Sequence, residues 1–514
     1  MLLTALVVIG IILILISVFS ISDNLIQIEA QKEGIDTQKT NLSLIPSFKD
    51  LFSPSLPSYV DKNKLHRLKK GMNINIAGGA ASVVSDANVA RYAVRPQLYR
   101  GLSPIPKMEV AEGDEVLAGQ VLFFDKKNPN VKFVSPVSGE VVEIRRGAKR
   151  AISHVIILGD KTQRYMQHTP PSINNASREE IVEYMQASGG WTLINQRPFD
   201  IIAETEVIPE NIFISTFDTA PLSADMNLII EGKEEAFQHG LTVLSKLTDG
   251  KVILGLDGRG TTEPNPAYTN ATGVEKHWFN GKHPAGNVGV QIHHTRPIKG
   301  GNSVWTLKPE DVAAIGQLFL SGTYDASKVV AIAGSDVVDP QHYRTYKGAS
   351  ITELTKDCVP EGETLRYISG NVLTGEQVDK EDFLNDKHNL VSVVKEGDNY
   401  ELFGWLLPIK PRPSASGTFP NFILKNHEFE VDTNTHGEER AFVVTGQYED
   451  VLPMDIYPQH LMKAILTGDI ERMEGLGINE LSEEDVALCE FTCTSKQPLQ
   501  EILRDGLDMM REQA

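Results

Sequence analysis

The sequence is poor in cysteine and in positive charge. Three cysteines, Cys358, Cys489 and Cys493, occur in 514 residues, which excludes a disulfide-stabilised secreted scaffold and fits a reducing compartment. The formal net charge is −19, so we exclude a nucleic-acid partner, whose phosphates require a basic face. A hydrophobic fraction of 41% is too low for a multi-span transporter.

The first twenty-two residues contain no charged side chain. About 20 apolar residues at about 1.5 Å each span a hydrocarbon core of about 30 Å, and the run lacks the basic n-region and small-residue cleavage site of a signal peptide. We therefore expect residues 1–22 to be a retained single-pass transmembrane anchor. Lys32 and Lys39 follow the run and no basic residue precedes it, so the body is predicted to lie on the cytoplasmic side.

Residues 23–66 are expected to be a flexible linker, because prolines interrupt them and no hydrophobic period persists. A basic group overlaps the end of this linker and comprises Lys62, Lys64, Arg67, Lys69 and Lys70. Two interpretations stay open. The group could contact anionic lipid headgroups, or it could be a solvated stretch that opens the first domain.

Residues 67–165 read as a small all-β module. Short β-branched runs are separated by turns such as Gly113-Asp114 and Ser135-Pro136, as in compact β folds. Their spacing resembles the biotinyl/lipoyl barrel-sandwich hybrid, whose carrier members present a modified lysine on the hairpin between the two halves. Lys126 and Lys127 stand at that place. One hypothesis is a swinging-arm lysine, and the other is a solvent-facing turn in a domain reused for structure.

An alternating α/β pattern covers residues 185–326. The runs 211–215 and 251–256 predict strands and 231–247 predicts a helix, so we expect a Rossmann-like parallel sheet. The dinucleotide fingerprint G-x-G-x-x-G is missing, and the loop 217–222 has Pro221 and no glycine. Such a loop fits poorly with a pyrophosphate cradle, which needs close approach of the backbone. Asp257-Gly258-Arg259-Gly260 alone is a weak signal.

Three histidines and two cysteines could suggest a site. His283, His293 and His294 surround a Gly/Pro-rich loop without cysteine or carboxylate support at zinc-binding spacing, and we expect ordinary loop histidines. Cys489 and Cys493 lie one helical turn apart. Two thiols cannot hold an iron–sulfur cubane, so structural cysteines are expected. The sequence therefore predicts no catalytic, cofactor-binding or metal-binding residue.

Residues 327–380 predict a β-grasp (SLBB-like) module, with strands at 329–335 and 365–372 and a helix that Ser350 caps. Residues 381–514 predict a mixed and then helical region, in which the acidic run 483–485 opens a helix. The predicted fold class is thus α/β plus β: an N-terminal transmembrane helix, a barrel-sandwich hybrid, a Rossmann-like domain without the fingerprint, a β-grasp module and a helical C-terminus.

Five motifs, in this order, carry a resemblance to a known family. They are Phe123-Phe124-Asp125-Lys126-Lys127-Asn128-Pro129 with Val131-Lys132-Phe133; Ser135-Pro136-Val137-Ser138-Gly139 with Arg146-Gly147-Ala148-Lys149-Arg150; His283-Pro284-Ala285-Gly286; Glu401-Leu402-Phe403-Gly404-Trp405; and Glu483-Glu484-Asp485-Val486-Ala487-Leu488-Cys489-Glu490-Phe491-Thr492-Cys493. From about Leu68 to Ala514 the chain resembles the A subunits of the sodium-translocating NADH:quinone oxidoreductases (Na⁺-NQR).

The resemblance implies a six-subunit pump of the bacterial inner membrane that moves electrons from NADH to ubiquinone and exports Na⁺. It implies a cytoplasmic subunit without flavin or iron–sulfur cluster, which docks on the membrane-embedded B subunit, near the site of quinone reduction, in a complex that also has C, D, E and F subunits. Residues 1–65 are extra to the family pattern. A related component of ferredoxin-linked pumps carries two [4Fe–4S] clusters and needs about eight thiolates, which three cysteines exclude.

Overall fold

The computed structural model describes residues 10, 17–18, 22, 25, 56–102, 106–360, 362, 364–397, 411–415, 424 and 427–513. Most of the expected anchor 1–22 and most of the linker 23–66 lie outside the described residues, as does the motif 401–405. Among the described residues, no helix combines the length and the apolarity that a membrane crossing requires. The chain divides into two units, residues 1–65 and 66–514, and the second contains the sites discussed below.

The first strands form the all-β module and contribute to two other sheets. They are β1 Leu65–Arg67, β2 Ala81–Asp86, β3 Arg91–Val94, β4 Lys107–Met108, β5 Glu115–Val116, β6 Val121–Phe124, β7 Lys132–Val134, β8 Gly139–Arg146 and β9 Ile152–Gly159. A four-stranded sheet (β3-β9-β8-β5) and a three-stranded sheet (β4-β6-β7) make the barrel-sandwich module, around buried Leu122, Phe123 and Phe133.

Strands β1 and β2 differ from the predicted domain 67–165. β1 joins the edge of the Rossmann-like sheet beside β14, and β2 pairs in parallel with β17 of the β-grasp sheet. A period of two identifies a strand and its buried face, but the strand can satisfy its backbone groups against any available sheet edge. The segment before β3 therefore ties the three domains together.

The α/β domain contains α1 Arg178–Ala187, β10 Asn195–Arg197, β11 Ile201–Ile202, β12 Ile212–Ser215, α2 Met226–Ile230, α3 Glu234–Ser245, β13 Val252–Asp257, α4 Pro266–Thr269, β14 Glu275–Asn280, α5 Val288–Thr295, β15 Val304–Leu307 and α6 Pro309–Ser321. The sheet order is β1-β14-β13-β12-β15-β10-β11, and β14, β13, β12 and β15 run parallel. The predicted parallel sheet is confirmed. The single helix expected over 231–247 is wrong at its start, because Gly232, at φ 76°, separates α2 from α3.

The third domain contains β16 Ser327–Ala333, β17 Gln341–Tyr346, α7 Ile351–Thr355, β18 Leu365–Ser369, β19 Glu376–Val378 and β20 Leu390–Lys395. Its sheet order is β19-β18-β20-β16-β17-β2, with β16 and β20 parallel at the centre. This is the arrangement expected of a β-grasp module. Ser350 occupies the N-cap position of α7, although its side chain makes no capping hydrogen bond.

The C-terminal helices are α8 Gln447–Val451, α9 Pro458–Leu466, α10 Ile470–Gly475, α11 Glu483–Thr492 and α12 Leu499–Gln513. They bury one hydrophobic cluster that includes Leu461, Met462 and Leu503. The predicted helix start after Ser482 is confirmed: Ser482 and Asp485 form a reciprocal capping box, which satisfies two of the N–H groups that a helix start leaves free.

Candidate functional site

The carboxyl edge of the parallel sheet is the first place to look for a site, because ligands of open α/β folds bind there. β12 ends at Ser215 and runs into the loop 216–225, and β13 ends at Asp257. Asp218 Oδ1 accepts a hydrogen bond from Ala220 N (2.8 Å), and Leu222 has a φ of 60°. The loop therefore contains a proline and bulky side chains, and it lacks the glycine-rich backbone of a phosphate-binding loop.

A cavity of about 150 Å³ lies at the ends of β12 and β13, with Phe217, Asp218, Asp225, Asp257 and Arg259 among its lining residues. Arg259 does not offer a free cation, because its Nη2 and Nε donate to Asp257 Oδ2 and Oδ1 (2.7 and 2.9 Å). Pockets for drug-sized ligands usually measure about 300–1,000 Å³. The cavity is thus small, and its three carboxylates would repel a phosphate group.

His283 follows β14 at the same edge and fills the space beside the loop from β12. The residue is 3% exposed, and Thr219 Oγ1 lies 3.1 Å from His283 Nδ1. Gly286 N also donates to Thr219 Oγ1 (3.0 Å), so the hydroxyl can donate to Nδ1 and leave the proton of the neutral ring on Nε2. Burial lowers the pKa of His283 to about 4, against the opposing effect of Asp218 and Asp485. The ring is therefore neutral near pH 7.

His283 Nε2 is buried without a hydrogen-bond partner in the described structure. The segment around His283 is closely packed, since a Cβ at Gly286 would lie 2.8 Å from Thr219 N. The segment 283–286 has a cis peptide bond between His283 and Pro284 and packs directly against the β12 loop. The chain's own residues thus occupy the space beside that loop.

A buried ion-pair cluster joins this sheet to the first turn of α11. Arg197, at the end of β10, donates to Asp485 Oδ2 (2.9 Å), Glu484 Oε1 (2.7 Å) and Ser482 Oγ (2.7 Å). Burial alone would lower the pKa of Arg197, but the carboxylates of Asp485 and Glu484 raise it above its ordinary value. The cluster therefore holds a permanent cation between two domains, with Asn287 Nδ2 donating to Glu484 O (2.8 Å) beside it.

The expectation of loop histidines is wrong for two of the three, because the stretch of sequence after the Gly/Pro-rich segment forms a helix. His293 and His294 lie on α5, where His293 Nδ1 contacts Glu480 Oε2 (2.8 Å) and His294 Nε2 donates to Pro453 O (2.6 Å). They tie α5 to the C-terminal region. Over the described ranges, no group of three or more His, Cys, Asp or Glu residues is arranged to hold a metal.

The cysteines are buried and unpaired. Cys493 Sγ lies 2.8 Å from the Tyr448 hydroxyl and Cys489 Sγ lies 3.8 Å from Tyr448 O, inside the C-terminal cluster. Burial raises the pKa of Cys489 well above its ordinary value. A thiol that stays protonated is neither a good nucleophile nor a ready ligand, and this environment supports the structural interpretation.

Lys126 and Lys127 are exposed on the connection between β6 and β7, where Lys127 N donates to Asp125 Oδ1 (3.1 Å). Their position agrees with that of a carrier lysine. However, Asn128 Nδ2 lies 3.5 Å from Thr205 Oγ1 of the α/β domain. The connection is thus close to a neighbouring domain.

Sequence reasoning missed two features of the site. One is the contact between Arg197 and Asp485, because the two residues are 288 positions apart and an arginine after a short polar strand has no local signature. The other is a chain of hydrogen bonds from Glu275 through His277 to His66, with distances of 2.9 Å and 2.9 Å. The alternation in 275–280 could have indicated the strand but not its partner.

Three family models match the chain. The NqrA N-terminal barrel-sandwich hybrid domain matches residues 66–160, the NqrA second alpha/beta domain matches residues 176–324, and the NQRA C-terminal domain matches residues 329–380. These matches cover most of the three domains, and the last match ends before β20.

Curated relatives match over nearly their whole length. The A subunit of the Na(+)-translocating NADH-quinone reductase of Vibrio atlanticus is 40% identical over 450 residues, which cover 87% of this chain and 99% of that protein. The protein of the same name from Neisseria meningitidis serogroup A is 39% identical over 451 residues, with the same two coverages. A crystal structure of NAD+-reducing [NiFe]-hydrogenase in the air-oxidized state aligns with 67% of this chain and 62% of its own, at 12% identity and a TM-score of 0.32, too low to support a conclusion.

Proposed function

We propose the function of this chain from its family: it belongs to the NqrA family, which comprises the A subunits of the Na(+)-translocating NADH-quinone reductases. It is accordingly one component of an oxidoreductase complex that works at a membrane. Within this complex, which by its name transfers electrons from NADH to quinone and translocates Na⁺, we assign it the role of a cofactor-free peripheral subunit. It docks on the membrane-embedded B subunit, faces the cytoplasm and supports the reduction of ubiquinone.

The contribution we propose is positional. The observation that supports it best is the carboxyl edge of the parallel sheet, where His283 and the loop after β12 fill the space beside the strand ends and leave a small acidic cavity. Phosphate-bearing cofactors need close backbone approach and positive potential, and neither is present among these residues. The buried charge of the Arg197 cluster instead holds α11 against the sheet, which is a structural use.

Removal of the whole chain tests this proposal. In membranes that lack it, we expect quinone reduction by the remaining complex to be impaired while NADH oxidation by an artificial acceptor continues, because the proposal places the NADH site on another subunit. Re-expression of the chain should restore quinone reduction. Full quinone reduction without the chain, or loss of both activities with the other subunits still assembled, would contradict the proposed role.

The same proposal places residues 1–22 in the bacterial inner membrane as a single-pass anchor. The full-length chain, expressed without partner subunits, should stay in the membrane fraction after a carbonate wash. A variant with charged residues replacing Ile12 and Leu13 should be released, since a charge at the centre of a spanning helix costs roughly 2.5–3.5 kcal/mol. Release of the unmodified chain would contradict the anchor.

A carrier function is the second candidate, and one observation favours it: Lys126 and Lys127 are exposed on the β6–β7 connection. Biotin or lipoate on either lysine would add a fixed mass to the chain. The intact mass of the protein from its native membrane decides between the two functions. An intact mass without an adduct would support the accessory role, whereas a stoichiometric adduct on Lys126 or Lys127 would establish the carrier function.

A further inference from the structure

Strand β1 and the residues after it carry a basic surface, which we define as Arg67, Lys69, Lys70 and Lys282. We propose that this β1 basic surface binds the anionic phospholipid headgroups of the membrane. The proposal concerns the second unit, residues 66–514, and it is independent of whether the chain supports quinone reduction. The sequence alone leaves the basic group to which Arg67, Lys69 and Lys70 belong open between a solvated stretch and a lipid contact, and that group does not include Lys282.

The edge of the sheet determines which side chains face outward. β1 lies beside β14 at the end of the seven-stranded sheet, and Leu68 N continues the pairing by donating to Asn280 O (2.8 Å). His66 stacks on Phe279 with ring centroids 4.9 Å apart, and Leu68 packs against the same cluster. Because successive side chains alternate between faces, Arg67 and Lys69 point away from this cluster, and both are exposed.

A second chain segment adds to this surface. Met72 N donates to His283 O (2.9 Å), so the segment after β1 runs beside the segment after β14. A Cβ at Gly71 would lie 3.5 Å from Lys282 Cβ, which places Lys282 next to Lys70 along the chain's path. Both lysines are exposed. Two segments more than two hundred residues apart thus run side by side at this edge, and together they carry four exposed cations.

Some exposed cations of the molecule are paired within the chain. Arg91 pairs with Glu353 (3.1 Å) and Arg164 pairs with Asp160 (3.0 Å). In the described part of the chain, no ion pair involves any of the four residues of the β1 basic surface. Asp450 meets this segment through its carbonyl oxygen, which accepts from Gly71 N (3.4 Å). In a chain of net charge −19, four exposed cations on two adjacent segments, with no ion pair to a described residue, suit an external anion.

Anionic lipid fits this surface better than a soluble phosphate compound. The four side chains project from a sheet edge rather than converge in one of the cavities at the β12–β13 ends or beneath β16, and a row of cations suits a plane of headgroups. The sequence also places the uncharged run 2–21 upstream of Arg67. Each such cation within a Debye length strengthens binding to an anionic membrane about fivefold.

Lysine footprinting of the full-length chain tests the proposal. The protein is reconstituted with phosphatidylcholine vesicles, with and without phosphatidylglycerol, and the rate of lysine acetylation is read by mass spectrometry. We expect Lys69, Lys70 and Lys282 to react at least about fivefold more slowly with phosphatidylglycerol present, and high salt should remove this protection. Lys161, Lys251 and Lys356, which are exposed elsewhere, should react equally in both vesicles.

A pair of matched variants separates local charge from net charge. Arg67→Gln with Lys282→Gln should weaken the protection of Lys69 and Lys70, whereas Lys161→Gln with Lys251→Gln removes the same charge and should leave it intact. Equal acetylation in both vesicles would overturn the proposal. Equal protection by inorganic phosphate or inositol hexakisphosphate with phosphatidylcholine alone would also overturn it, since the ligand would then be a soluble phosphate compound.

Discussion

Removing the cation of the Arg197 cluster should be far more destabilising than removing an exposed one. In Arg197→Met, the carboxylate of Asp485, whose side chain is 0% exposed, loses its partner and stays buried. Breaking a buried pair by removing one partner costs roughly 3–5 kcal/mol. Asp485 also accepts from Ser482 N (2.9 Å) in the capping box, so the cost should appear first at the start of α11.

Hydrogen exchange measures this local effect without requiring two-state unfolding of a multidomain chain. At about 1.4 kcal/mol per factor of ten, we expect the protected amides of α11 to exchange roughly a hundredfold to several thousandfold faster in Arg197→Met. In the double variant Arg197→Met with Asp485→Asn, which removes both charges of the Arg197–Asp485 pair and keeps a cap acceptor, most of the protection should return.

Arg145→Met is the matched control for this prediction. Arg145 pairs with Glu143 at 3.0 Å, with side chains 43% and 46% exposed, and exposed pairs contribute about 0–1 kcal/mol. Its amides should change little. Equal changes in exchange for Arg197→Met and Arg145→Met would refute the stabilising role of the cluster, as would a double variant that is as damaged as Arg197→Met.

Three further predictions follow from the described contacts. The purified chain should be colourless, without flavin fluorescence or iron; stoichiometric flavin or cluster iron would refute this. Burial, and then His277 and His294, lower the pKa of His66 to about 4 from its ordinary 6.5. Protonation of His66 should therefore reduce the stability of the folded chain only as pH falls from about 6.5 to about 4. Thermal melts of His66→Gln should lose that part of the pH dependence, and an unchanged profile would contradict this prediction. Gly316→Ala places a Cβ 1.7 Å from a carbonyl oxygen of the facing helix α3 and should cost about 1–3 kcal/mol or more, whereas Gly475→Ala, with open space around it, should be neutral or stabilising in denaturation.

Local patterns predicted the elements of this molecule better than their partners. The helix after Ser482 could be predicted because a cap residue and an acidic first turn occur in one short stretch. The break between α2 and α3 was also predictable in principle, since Gly232 lies within the run 231–247 and its positive φ suits glycine. In both cases, residue types within a few neighbouring positions indicated where the helix begins.

Pairing over long separations could not be predicted from one sequence. β2 reads as a strand of the first module, but Ser85 Oγ donates to Gln341 Oε1 (3.0 Å) across 256 positions. Its mixed burial gives no clue to the sheet that it joins. For the same reason, the Arg197 cluster and the β1 basic surface emerge only once distant segments are placed side by side.

In the role proposed for it, the chain contributes position rather than chemistry to quinone reduction. The most direct measurement is the rate of quinone reduction by the assembled complex with alanine, in turn, at His283, His293, His294, Cys489 and Cys493. We expect each rate to stay within about tenfold of the unmodified complex, because loss of a general acid or base typically costs about 10²–10⁴-fold. A single substitution that lowers the rate more than about a hundredfold, with the complex still assembled, would show that this chain takes part in the chemistry and would contradict the positional role.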